Sequence, residues 1–234
     1  YYDKNCSITT LGTLGYFSHP EFDAYMVSVV GDEGTNFVGA PGLFDWSILK
    51  GHTVLSHNAS FDETLYLFGI KKGWWPEVVP AEWHCTADLV AYCGLPRSLK
   101  GASAELLKVD VSKETRNNML GKRWEEMSPE FKKEVSEYAL KDSELCIELW
   151  MKLKHKWPQK ERDISRINRR STQRGIPIDI KLLREQQEKV SQYLFEAENS
   201  IPWIEDQRPL SRIAFNDECR KCGLEPPASL ALSN

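Results

Sequence analysis

Hydrophobic and polar positions change period several times along the chain, and each change predicts an element. Residues 24–30 (Ala-Tyr-Met-Val-Ser-Val-Val) alternate and are β-rich, which predicts a strand. Gly31-Asp32-Glu33-Gly34 predicts a hairpin turn, with Thr35 to Val38 returning as the next strand. Pro41-Gly42 breaks it, and Phe44, Trp46, Ile48 and Leu49 predict a short helix. Thr53-Val54-Leu55 then predicts a short buried strand, after which Leu65, Tyr66 and Phe68 share one helical face. Trp83-His84-Cys85-Thr86 predicts a further strand, and Asp88 to Cys93 begins a helix. Ser98 is placed to cap another helix running through Ala104 and Leu107. Residues 1–23 read as an irregular entry, 73–80 as a Trp- and Pro-rich loop, and 110–123 as a polar loop. In the Trp-rich loop, Trp74 and Trp75 either fold onto the core or stack on bases.

The longest periodic stretch predicts a helix over residues 129–156. At 100° per residue, Phe131, Val135, Tyr138, Asp142, Leu145, Leu149 and Leu153 fall on one stripe. Asp142 sits in its middle. An ionised carboxylate facing a core costs several kcal/mol unless it is paired or holds a cation. Either an arginine or backbone N–H groups satisfy Asp142, or it is a metal ligand with the Tyr138 phenol one turn away. Leu140, Ile147 and Met151 lie roughly opposite, so the helix needs a second apolar neighbour, expected from the downstream region. Asp62 falls in the first turn of the helix that follows the Thr53–Leu55 strand. There a carboxylate complements the free N–H groups, or acts chemically.

Composition narrows the picture. A chain of 234 residues with 41% hydrophobic content and eight Trp is ample for a packed core. The net charge of −4 excludes a generally basic nucleic-acid binder but not a nuclease, whose metal centre is itself acidic. Six scattered cysteines without a disulfide framework, no signal peptide and no membrane-length apolar run point to reduced thiols and a cytoplasmic setting. Cys219-x-x-Cys222 lacks the second pair that structural zinc wants. Positive charge concentrates between Lys152 and Arg174, where it tracks a DNA backbone or forms an exposed face near a domain junction at Trp157-Pro158. Asp179 then caps a helix over 180–198, and a short helix follows around 213–222.

Asn58-x-x-x-Asp62 and Tyr138-x-x-x-Asp142, about eighty residues apart, resemble the second and third motifs of DEDD-type 3′–5′ exonucleases of the tyrosine variant. With the flanks His57-Asn58-Ala59-Ser60-Phe61-Asp62, Gly94-Leu95-Pro96-Arg97-Ser98-Leu99 and Gly175-Ile176-Pro177-Ile178-Asp179, the chain resembles the proofreading region of bacteriophage-type family A (DNA polymerase I-like) DNA polymerases along nearly its whole length. The resemblance implies an α/β, ribonuclease H-like exonuclease domain over residues 1–157, a mixed sheet flanked by helices. A helical segment over 158–234 would then begin the polymerase thumb. It implies two Mg²⁺ or Mn²⁺ ions, roughly 3.5–4 Å apart in such centres. Asp62 and Asp142 would be metal ligands, Tyr138 would orient the attacking water, and Asn58, Phe61 and His57 would contact substrate. The partners would be a DNA 3′ end and the polymerase domain of the same parent chain, with no membrane, in a host bacterial cytoplasm if phage-encoded.

The family's first motif, an Asp-x-Glu on the first strand, has no counterpart here: Glu21-Phe22-Asp23 is reversed, and Asp32 and Glu33 are adjacent. The expectation is therefore a fragment whose first strand lies ahead of Tyr1, without palm or fingers and with impaired cleavage. Two other readings stay open. One is a 3′–5′ exoribonuclease of the same superfamily; the other is a catalytically silent DNA-binding or scaffold domain.

Overall fold

The computed structural model describes residues 6–31, 34–110 and 114–229. The architecture is mixed α/β, in two compact units that divide after Gly175.

The first unit opens with helix α1 (Ile8–Ser18), where an irregular entry was expected. Ser7 caps it by accepting from the Thr10 N–H, and Gly12 interrupts it with a left-handed φ of 68°. Tyr16 and Phe17 anchor its end in a cluster with Phe22, Phe61 and Phe68. Strands β1 (Val27–Val30) and β2 (Asn36–Gly39) pair antiparallel, Val27 opposite Gly39 and Val30 opposite Asn36. The turn expected between them includes Asp32 and Glu33, which lie outside the described residues. Two short 3₁₀ turns, Pro41–Leu43 and Trp46–Leu49, take the place of the single short helix.

Strand β3 (Thr53–Ser56) leads into helix α2 (Ala59–Lys72), and strand β4 (Glu82–Cys85) returns parallel to β3. Helix α3 (Thr86–Tyr92) follows at once, then α4 (Leu99–Ala102), capped by Ser98 as expected. A π turn continues α4 through Leu107. Helix α5 (Glu114–Met119) forms in the segment expected to be a polar loop. Helix α6 (Pro129–Leu153) is the longest element, and a 3₁₀ turn extends it to Lys156. It packs against β1, β2 and β3, so both two-stranded sheets rest on one helix.

The other face of the sheets is covered by aromatics. Phe44, Trp46, Tyr66 and Trp75 form a buried cluster against which Val27, Val29, Phe37 and Trp83 pack. Their polar atoms are satisfied: the Trp75 indole donates to the Tyr66 carbonyl at 2.9 Å, and the Tyr66 hydroxyl donates to Val78 O at 2.7 Å. Gly69 exists for this packing. A Cβ there would lie 2.0 Å from the Trp75 ring, so any larger residue would drive the indole out. Trp75 is thus core. Trp74 remains 42% exposed, stacked on Phe22.

The unit extends beyond the boundary expected at residues 157–158, because helix α7 (Gln159–Arg174) is locked onto it. Trp157 is buried with Leu89, Leu149 and Leu153. Arg169, 4% exposed, pairs with Glu63 of α2 at 2.9 Å and donates to the Trp83 carbonyl of β4 at 2.6 Å. The second unit contains α8 (Ile180–Asn199), capped by Asp179 as expected, and α9 (Arg212–Lys221), capped by Ser211. Trp203 and Phe215 meet there edge to face. Cys219 and Cys222 are free thiols.

Candidate functional site

The chain turns from β3 to α2 at Asn58, whose φ of 88° and ψ of 51° are left-handed, a conformation asparagine tolerates better than most residues. This single residue redirects the backbone sharply enough to put Asp62 in the first helical turn, facing back toward the end of β3. There the Ser56 hydroxyl donates to the Asp62 carboxylate. Burial raises the Asp62 carboxyl above the ordinary carboxylate range, and the Ser56 hydrogen bond only partly offsets that.

From the opposite side, α6 brings Tyr138 and Asp142. Ser143 fixes its position on β1, with hydroxyls of Ser143 and Ser28 at 2.9 Å. One turn later Cys146 lies 3.2 Å from the Thr86 hydroxyl at the β4–α3 junction. Burial pushes the Cys146 thiol up to about 12, and the charges of Asp62 and Asp142 add to the rise. Asp62, Tyr138 and Asp142 line the same cavity, about 1640 Å³ in volume, together with Asn58 and His57.

Two expected substrate contacts are otherwise engaged. His57 Nε2 lies 2.9 Å from the Arg97 carbonyl, an acceptor only, so this nitrogen carries the proton. Nδ1 then accepts from the Thr86 hydroxyl at 3.1 Å. Burial holds His57 below its usual range, so the neutral tautomer is the working form. Its role in the fold is to pin the loop carrying Arg97 against the end of β3. Phe61 turns away from the cavity and stacks edge-on to Phe17 of α1, ring centroids 5.1 Å apart. Sequence reasoning missed Ser56, Ser143, Thr86 and Cys146. Ser143 and Cys146 follow Asp142 on α6, whereas Ser56 and Thr86 become relevant only once β3 and β4 pair.

Two carboxylates on one cavity wall offer hard oxygen donors suited to a divalent cation. Among the described residues no third His, Cys, Asp or Glu joins them, so the donors present are too few for a two-ion centre. Arg97, Lys100 and Lys154 also line the cavity, Arg97 paired with Asp88 and Lys100 with Asp110. Among the described residues no helix is long and apolar enough to cross a membrane. In comparisons with protein-family models, curated proteins and solved structures, nothing matches the chain.

Proposed function

We propose that the chain is the 3′–5′ exonuclease, proofreading part of a DNA polymerase, of ribonuclease H-like fold, acting on a DNA 3′ end. The observation that carries this reading is the arrival of Asp62 and Asp142, from α2 and α6, at one cavity with Tyr138 beside them. The Asp62 carboxyl stays raised by burial although the Ser56 hydroxyl and its own backbone N–H both favour its charged form, which suits a ligand that awaits a cation. Asp62 and Asp142 would supply part of the ligand set for Mg²⁺ or Mn²⁺, which in such enzymes stabilises the attacking and leaving oxygens. Tyr138 would hold the attacking water by hydrogen bond, and Asn58 would meet the terminal nucleotide. With two carboxylates alone, cleavage by this chain is weak.

The test is digestion of 5′-labelled single-stranded DNA with Mn²⁺. A ladder shortened from the 3′ end and abolished by Asp142→Ala supports the reading. Cleavage that survives Asp142→Ala, or that starts at the 5′ end, refutes it. An RNA oligonucleotide run in parallel separates the exoribonuclease alternative. The lack of a third ligand among the described residues favours one rival, a silent DNA-binding or scaffold domain. That rival predicts no product and no Mn²⁺ uptake by calorimetry.

A further inference from the structure

Among the described residues nothing covers helix α8: every residue from Ile180 to Asn199 is exposed. Its sequence nevertheless carries a stripe. Ile180, Leu183, Gln187, Val190, Leu194 and Ala197 recur at alternating steps of three and four. That spacing is the seam of a two-helix coil, and a single polar residue inside such a seam, here Gln187, fixes its register. A helix of 20 residues is marginal in water unless a face of this kind is packed.

The charges of α8 run against its own dipole. Lys181 and Arg184 lie at its start, where no acid stands in the first turn. Glu196 and Glu198 lie at its end, where no base stands in the last turn. Anions are favoured at a helix N-terminus and cations at the C-terminus, so an isolated α8 has both sets misplaced; only the Asp179 cap agrees with the dipole. An antiparallel copy reverses the relation, because it sets a basic start beside an acidic end. In the register that places Val190 opposite the other copy's Leu194, Gln187 falls opposite Ala197, and Tyr193 meets its own counterpart across the twofold axis. Arg184 and Glu198 share one flank of the stripe, and in this register each Arg184 stands beside the other copy's Glu198. A parallel pair would instead set like charges level with one another.

We propose that the stripe on α8 is a self-association surface, on which a second copy of this chain docks antiparallel through its own α8. The same patch is used on both copies, so the pair closes as a dimer and does not propagate. The seam is one helix against one helix, ~30 Å long, and smaller than a standard interface of ~800 Å² per partner. A dissociation constant on the order of 10–100 µM is therefore expected. Association needs no ion, no nucleic acid and no cleavage, so it stands or falls apart from the nuclease reading.

The test is sedimentation equilibrium of the 234-residue chain over a concentration series from ~5 to ~500 µM. The expected result is a mass that rises from 26.9 kDa toward twice that value. Leu194→Asp places a charge in the seam and weakens association at least ~100-fold. Arg184→Glu and Glu198→Arg, both on the exposed surface, each weaken it at least ~10-fold by setting like charges together. Mixed in equal amounts, these two charge variants associate with each other as tightly as the parent does with itself, because each flank again joins opposite charges. That rescue is specific to the antiparallel register and does not depend on how Leu194→Asp folds. A chain that stays at 26.9 kDa throughout overturns the proposal and leaves the stripe to a different partner. A dimer indifferent to Leu194→Asp has its contact elsewhere and overturns it, as does a mixture of charge variants that fails to pair.

Discussion

Leu149 and Leu153 of α6 are sealed against Leu89 and Val90 of α3, whereas Ile147 and Met151, on another side of the same helix, border an open cavity. Both sides are apolar, yet they do different things. The sealed side, with Trp157 and the Arg169–Glu63 pair beyond it, holds the unit together. The open side borders two sheets that do not pair with each other among the described residues, and it concentrates the chemistry: two carboxylates, a phenol and a thiol. Apolar character alone therefore does not tell core from open surface; what distinguishes them is whether another element packs against them.

The sharpest way to break this comparison is on the sealed side. Arg169→Ala leaves Glu63 buried without its guanidinium and the Trp83 carbonyl without its donor. It should cost ~3–5 kcal/mol in urea unfolding. Leu149→Ala, at a fully buried position, should cost ~2–5 kcal/mol in the same assay. If either loss stayed below ~1 kcal/mol, α7 or α3 would not be holding the unit as described.

The open side should respond through pH and then barely at all. The Asp62 carboxyl is raised in the folded state, so the folded chain keeps its proton to higher pH than the unfolded chain. Stability is then highest below the unfolded carboxylate range and falls as pH rises toward the raised folded value. Asp62→Asn should remove that fall, giving a higher melting temperature than the parent at pH 7 and a vanishing difference near pH 4. Thermal melts across pH check it, and a mutant less stable at pH 7 would contradict it. Met151→Ala, 55% exposed, should change stability by ~0.5 kcal/mol or less, which tests whether that side is open in solution.

Some of this was legible in the sequence because it is periodic and local. The β3–α2 turn, the capping by Ser98 and Asp179 and the span of α6 all follow from spacing. Helix α1 was hidden because its Thr-Leu-Gly repeats have poor helix propensity; a serine cap and an aromatic cluster hold it. The polar α5 carries no apolar stripe to announce it. The roles of Phe61 and His57 were not legible, since Phe17, Thr86 and the Arg97 carbonyl become their neighbours only in the fold. The attachment of α7 was hidden for the same reason: Arg169 looks like one of many basic residues until it meets Glu63, 106 positions earlier. On the second apolar side of α6, where a downstream neighbour was expected, Ile147 and Met151 border the central cavity.

The most direct measurement is a Mn²⁺ titration followed by paramagnetic broadening of backbone amides. If Asp62 and Asp142 meet at one cation-binding point, residues 56–62 and 138–146 broaden together. Asp62→Asn or Asp142→Asn then abolishes both effects. Broadening of only one segment, or of both in the absence of either carboxylate, would contradict a shared site.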